Sequence, residues 1–284
     1  IYGAGDLVPP LEVMDTVSKN AVPMGFDWPG YWGGKLPVAN LVGSLPFGPA
    51  PDVLAGWLWR GGGMEIIQKA YDKVNIHFIP CTITPPEPAG WFNKEIKSPD
   101  DLKGLNMRIG GLAGRAMAKL GVNTQVSPGG EVFVSLSRGR IDAAEYSLPM
   151  IDYDLQMQKA AKYYYFPGWH QPSSVNSLEI NKTVWDGLDK AQQGQIEGAC
   201  KIAMLWSLNE NAAKQLDTLK KMRDSGTQVR RLPDDVMQAL KDATDRVIAE
   251  ERKSSPIFDE AYASLADYID SSRQWKDLQS LDVG

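Results

Sequence analysis

Arg108 lies in a short apolar run, NMRIGG, and is followed after Ile109 by Gly110, Gly111 and a stretch with helical spacing. A strand that ends in arginine before two glycines aims a planar, permanently charged fork at a helix N-terminus. That chemistry suits a carboxylate gripped through two parallel hydrogen bonds. Farther along, GRIDAAEYSLP delivers Glu145 and Tyr146 beside a proline, and Glu87 lies in the proline-rich stretch TPPEPAGW. If both carboxylates and a bound anion face Arg108 in one site, the excess negative charge is prohibitive to bury unless a cation enters or a proton is taken up. A calcium-like divalent ion, which accepts several carboxylate oxygens in flexible geometry, meets that need. Read alone, Glu145 is a salt-bridged carboxylate at the core edge, Glu87 a solvent-exposed turn residue, and Arg115 a solvated helix charge.

The elements that must position these residues alternate. Pro9 with Pro10, and Pro51, stand where helices open, and Val74 to Cys81 runs as a buried strand into the turn Thr84 to Pro88. Strand-like runs follow at 91–96 and 106–109, helices at 112–120 and 131–137, a strand at 173–181, and a long helix at 190–224 ended by Gly226. Two more helices finish the chain, and the alternation suits parallel sheets. With 284 residues and 43% hydrophobic content the chain can bury a core across about two lobes. A net charge of −5 with no basic block disfavours nucleic-acid binding. Cys81 and Cys200 share no metal or redox spacing and read as two buried thiols rather than a disulfide. No apolar run reaches the length of a membrane span.

In their order and spacing, GDLVPPLEVMDTVSKNAVPMG, LPFGPAPDVLAGWLWRGGG, GWFNKEIKSPDDLKGLNMRIGG, GRIDAAEYSLP and KAAKYYYFPGW resemble the solute-binding proteins of TRAP transporters, the tripartite ATP-independent periplasmic family. AGWFNKEI, RIGGLAGR and KYYYFPGW are most similar to the branch that binds 2-oxo and 2-hydroxy monocarboxylates with a metal ion. The resemblance implies a two-lobe α/β periplasmic binding-protein fold with strands exchanged between lobes and a long helix spanning both. It places lobe I at residues 1–85 plus 174–213, and lobe II at 86–173 plus 214–284 with the C-terminal helices. The crossovers fall near 81–91 and 173–176; the Thr84 to Pro88 turn either adjoins a hinge or is stiffened by its prolines. Ile1 opens on what resembles the family's second strand and helix, so an N-terminal strand and helix are expected to be missing.

The same resemblance assigns Arg108 to the ligand carboxylate and Glu145, with the backbone oxygen of Tyr146, to the metal. Glu87 stands where that branch usually has a glutamine; either side chain offers oxygen to a cation, but only Glu adds charge. The expected cation is calcium, with sodium as the alternative. Tyr146 replaces the usual tryptophan, and His170 follows GW at the ligand mouth, although a lone histidine is as readily packed or on the surface. Tyr31, Trp32 and Phe47 are expected to wall the cleft from lobe I, or else to be plain core. The closing segment 256–278 carries Ile257, Phe258, Ala261, Tyr262, Leu265, Tyr268, Ile269 and Trp275. Relatives dimerise through such a helix, with exchange between protomers, and packing on its own lobe is the competing expectation.

An enzyme is disfavoured. His77 and His170 are the only imidazoles, neither lies in HExxH, there is no GxSxG, and GGLAG lacks phosphate-cradling spacing. Paired carboxylates such as Glu87 and Glu145 could serve a hydrolase, and the absence of repeats argues against a scaffold. The reading is an extracytoplasmic, periplasmic binding subunit that captures a small carboxylate and delivers it to membrane subunits. A metal-free site for a zwitterionic amino acid or betaine is the runner-up.

Overall fold

The computed structural model describes residues 1–280. Among these residues nine strands form two sheets. Strands β1 (Met24–Asp27), β2 (Ile76–Thr84) and β8 (Ser174–Asn181) make a three-stranded sheet in the order β1-β8-β2. Strands β3 (Gly90–Phe92), β4 (Asn106–Arg108), β5 (Asn123–Gln125), β6 (Ala143–Ala144), β7 (Tyr163–Phe166) and β9 (Gln228–Arg231) make the second, in the order β5-β4-β6-β3-β7-β9. The chain therefore passes from the first sheet to the second after Thr84 and returns after Phe166, so each lobe holds strands from both halves of the sequence. This is the two-lobe, strand-exchanged α/β fold expected above.

The sheets are less parallel than the sequence suggests. β8 runs antiparallel to both its neighbours, and β3 is antiparallel to both β6 and β7, whereas β4–β5, β4–β6 and β7–β9 are parallel. The cause is the exchange itself. A strand that arrives from the opposite lobe enters without the crossover helix that parallel neighbours require.

The long helix Lys190–Asp224 is fixed at its start by a capping box between Asp189 and Gln192. It packs along β2 in the first lobe and then against the helix Pro149–Asp154 in the second, and so spans both. Cys81 on β2 and Cys200 on this helix are joined as a disulfide, with Cα atoms 4.1 Å apart. Two separate buried thiols are thus the wrong reading of these cysteines. The packing of helix on strand brings together residues 119 apart that no sequence spacing marks as a pair.

The two closing helices touch each other but serve different lobes. Asp234–Ser254 packs on Gly111–Lys119 in the second lobe. Pro256–Gln279 lies instead on Pro51–Arg60 and Gly63–Tyr71 of the first, burying Phe258, Ala261 and Leu265, with Ser264 Oγ accepting from Trp57 Nε1 at 3.1 Å. Pro256–Gln279 thus stands on the first lobe, whereas the resemblance placed 214–284 in lobe II.

Inside the three-stranded sheet Glu179 is fully buried, and among the described residues neither of its carboxylate oxygens has a hydrogen-bond partner. Burial, and then the nearby charge of Asp27, push its pKa up to about 9. The folded state thus holds a proton that the unfolded chain releases near the ordinary carboxylate pKa of about 4.5. The stability this contributes is complete below about pH 4.5 and is lost as pH rises towards 9. Glu179→Gln, which keeps the neutral form, should therefore flatten the fall in melting temperature between pH 5 and pH 9. A wild-type profile in the variant would show that Glu179 is ionised in the fold.

Candidate functional site

The crossovers, the end of β4 and the end of β6 converge on one cavity of about 230 Å³ between the lobes. Its walls are Trp28, Tyr31, Thr84, Ser174 and Asn176 from the first lobe, Glu87, Arg108, Glu145, Tyr146, Ser147 and Ile151 from the second, and Gln171 from the return crossover. Strand ends at a lobe boundary leave backbone and side chains free to meet a ligand, which is why such positions host binding sites. The volume lies below the range typical of drug-sized pockets and suits a molecule of a few carbons.

Arg108 ends β4 with only 4% of its surface exposed. Its Nη1 donates to the backbone oxygen of Glu145 at 2.8 Å and to Glu145 Oε1 at 2.5 Å, while Nε reaches Ser127 O at 3.4 Å. Among the described residues none accepts from Nη2. The centre of the Tyr146 ring lies 5.6 Å from the guanidinium carbon, a cation–π contact. Gly111, first residue of the following helix, has φ +60°, which a side chain would resist, and the helix N-terminus beyond Arg108 depends on it.

Glu87 sits in the outward crossover, 3% exposed, with Ser147 Oγ donating to Oε1 at 3.4 Å and no hydrogen-bond partner for Oε2 among the described residues. The two crossovers touch. Glu87 N donates to Gln171 O at 3.2 Å, and a side chain at Gly168 would start 1.6 Å from Glu87 O, so only glycine fits there.

His170 does not line the cavity. It lies behind it, 1% exposed, with Nε2 at 3.7 Å from Glu87 Oε2 and 3.6 Å from Glu145 Oε2. Burial opposes its protonation, but the two carboxylates outweigh burial and raise its pKa to about 9. Glu87 is shifted upward, chiefly by burial. Glu145 ends below the ordinary range because Arg108 and His170 overcome its own burial. Donor atoms of Glu87, Glu145 and His170 all lie within 4.8 Å of one another, close enough to share one ion. Two buried carboxylates, one with an unpartnered oxygen, are chemically fit for a cation.

Two expected wall residues lie elsewhere. Trp32 is core: its Nε1 donates to Asp27 Oδ2 at 2.6 Å and it lies outside the cavity. Trp28 takes its place, because Pro29–Trp32 is a 3₁₀ turn, whose period of three puts residues 28 and 31 on one side. Trp28 is anchored by its Nε1 to Ser174 Oγ at 2.9 Å and meets Tyr31 edge-on with ring centres 4.9 Å apart. Phe47 packs against Trp169, 5.8 Å between ring centres, and is also outside the cavity. Arg115 is not free in solvent but pairs with Glu250 and Glu251 of the helix Asp234–Ser254.

The sequence reading missed Asp152, buried beneath the site. Its Oδ2 accepts from Trp91 Nε1 and Tyr164 OH, both at 2.8 Å, and burial raises its pKa to about 8. The bond from Ser147 N to Asp152 Oδ1, 3.2 Å, ties that foundation to the residues following Glu145.

A profile of the bacterial extracellular solute-binding protein family 7 matches residues 1–254. A monocarboxylate 2-oxoacid-binding periplasmic protein of Nostoc sp. strain PCC 7120 is 38% identical over 275 residues, which cover 97% of this chain and 73% of the relative. Among solved structures, a TRAP transporter solute-binding protein from Bordetella bronchiseptica RB50 superposes with a TM-score of 0.94 at 33% identity, over 98% of this chain and 82% of that one. That protein is a mixed-occupancy dimer, with copurified calcium and picolinate in one active site and the other site apo. A TRAP periplasmic solute-binding protein from Colwellia psychrerythraea, with bound calcium and pyruvate, gives 0.89 at 34% identity, over 94% of this chain and 82% of that one.

Proposed function

Because the chain belongs to the bacterial extracellular solute-binding protein family 7, whose members are binding proteins and not enzymes, we propose that it captures a small 2-oxo or 2-hydroxy monocarboxylate together with a metal cation and hands it to TRAP membrane subunits. The observation that carries this is the convergence of Arg108, Glu145 and Glu87 on a 230 Å³ interlobe cavity. In this reading the ligand carboxylate takes the remaining edge of Arg108. Glu87, Glu145 and the backbone oxygen of Tyr146 hold the cation, and the ligand bridges the lobes so that binding favours the closed population. Relatives with calcium beside picolinate or pyruvate support the choice of calcium, with sodium as the alternative.

The place of action is the periplasm. A disulfide between Cys81 and Cys200 suits an oxidising compartment, and no helix among the described residues is long and apolar enough to cross a membrane. The dimeric Bordetella relative supports a homodimer for this chain as well.

The charge count motivates the test. Once a cation displaces the proton that His170 holds between the two carboxylates, Glu87, Glu145 and a monocarboxylate oppose Arg108, an excess of two negative charges that a divalent ion cancels. Chelation should abolish calorimetric binding of pyruvate or lactate and calcium should restore it, while Glu87→Gln should shift preference towards a monovalent ion. Binding that survives chelation would assign the counter-charge to His170, poised between both carboxylates; chelator-insensitive binding of an amino acid or betaine alone would support a zwitterionic ligand.

A further inference from the structure

The end of the three-stranded sheet that meets the cavity changes character. Alternation along β2 and β8 sets Ile79, Leu178 and Ile180 on one face, where they pack with Cys200 of the long helix. Past Cys81, the extra residue that interrupts the pairing between Pro80 and Thr82, the same face carries Asn176 opposite Thr82 and Ser174 opposite Thr84. Four short polar side chains thus follow apolar neighbours, and three of them, Thr84, Ser174 and Asn176, line the cavity.

Their hydrogen-bonding capacity is only partly used. Asn176 Nδ2 donates to Thr82 Oγ1 at 3.2 Å, but among the described residues none donates to Asn176 Oδ1. Ser174, 1% exposed, accepts at Oγ from Trp28 Nε1 at 2.9 Å, and its own hydroxyl proton goes to no described residue. Thr84 Oγ1 donates to Ser174 O at 3.4 Å and keeps its lone pairs. Water serves such groups in an open cleft. A ligand that closes the lobes displaces that water, and must replace its bonds or leave buried donors and acceptors unmade.

We propose that Ser174 and Asn176 select a ligand with a hydroxyl on the carbon beyond its 2-oxo or 2-hydroxy group, a 3-hydroxylated acid rather than one with an alkyl tail. The inference rests on the monocarboxylate reading above and deepens it by naming the ligand's far end. Arg108, which takes the carboxylate in that reading, belongs to the second lobe, so the other end of a short acid meets the first-lobe wall. A hydroxyl there accepts from Ser174 Oγ and donates to Asn176 Oδ1, using both of its capacities at once. A methyl in the same place leaves both groups unpaired, and a site built to bond a hydroxyl rejects the analogue lacking one more strongly than an apolar pocket rejects a missing methylene. The first-lobe wall, Trp28, Tyr31, Thr84, Ser174 and Asn176, carries no charged side chain. A second carboxylate or an ammonium at the far end therefore finds no counter-charge there.

Hydroxypyruvate and 2-oxobutyrate are close in size and differ in a terminal hydroxyl against a methyl. Titration calorimetry of the full chain in calcium should show hydroxypyruvate bound at least tenfold more tightly, and glycerate likewise over 2-hydroxybutyrate. Asn176→Leu, close in shape but unable to accept, should bring each pair to within about threefold by weakening the hydroxylated member, and Ser174→Ala should narrow the gap as well, with melting temperatures showing that each variant folds. Equal binding of a pair by the unaltered chain, or a preference for 2-oxobutyrate, would overturn the inference and leave the monocarboxylate reading standing. Failure of both acids and of pyruvate to bind in calcium would overturn the two together. A preference for hydroxypyruvate undiminished in both variants would take the selection away from Ser174 and Asn176.

Discussion

Titration of an Arg108→Lys variant with pyruvate in the presence of calcium is expected to show affinity reduced by about thirtyfold or more, which is ~2 kcal/mol. Arg108 is nearly sealed from solvent, and one of its terminal nitrogens is committed to Glu145 through two hydrogen bonds. The guanidinium fork can serve Glu145 with one nitrogen and a ligand carboxylate with the rest. An ammonium is a single point charge and must choose between them. Lysine is the informative substitution because it keeps the positive charge beside Glu145. Alanine would strand that buried carboxylate, and a destabilisation of about 3–5 kcal/mol would confound the binding measurement. Unchanged affinity in the lysine variant would remove Arg108 from the ligand site.

The second large effect concerns the disulfide. Cys81 and Cys200 close a loop spanning 119 positions of sequence, and restricting the unfolded chain over such a span contributes on the order of 4 kcal/mol, in a range of about 2–5. Urea unfolding with and without reductant, or of Cys200→Ser, should show a loss of that size, with a steeper dependence on denaturant as the unfolded chain expands. Coincident curves would mean that the thiols are unpaired in solution.

That disulfide also marks the limit of what was legible. Local grammar places Arg108 at a strand end, because an apolar run followed by two glycines has few other outcomes, and it ends the long helix at Gly226 as observed. The pairing of Cys81 with Cys200 arises only when helix meets strand across the fold. His170 is similar. Nothing in GWHQ says that the ring will stand behind two carboxylates, because those carboxylates arrive from different crossovers and strands. Trp28 was missed, and Trp32 chosen in its place, because a short 3₁₀ turn leaves no periodicity long enough to read. Asp152 gave no signal, since its importance lies in the indole and phenol that close over it.

The contact of the two crossovers at Gly168 constrains how the lobes can move. Two separate connections would behave as independent wires, free to shear, twist or stretch apart. Pressed together where Gly168 admits the Glu87 carbonyl, and tied by the bond from Glu87 N to Gln171 O, they form a ribbon. A ribbon bends about one axis and resists the others. Lobe closure is therefore expected to bend this ribbon rather than shear it, with Glu87 and Gln171 moving together as one wall of the cleft.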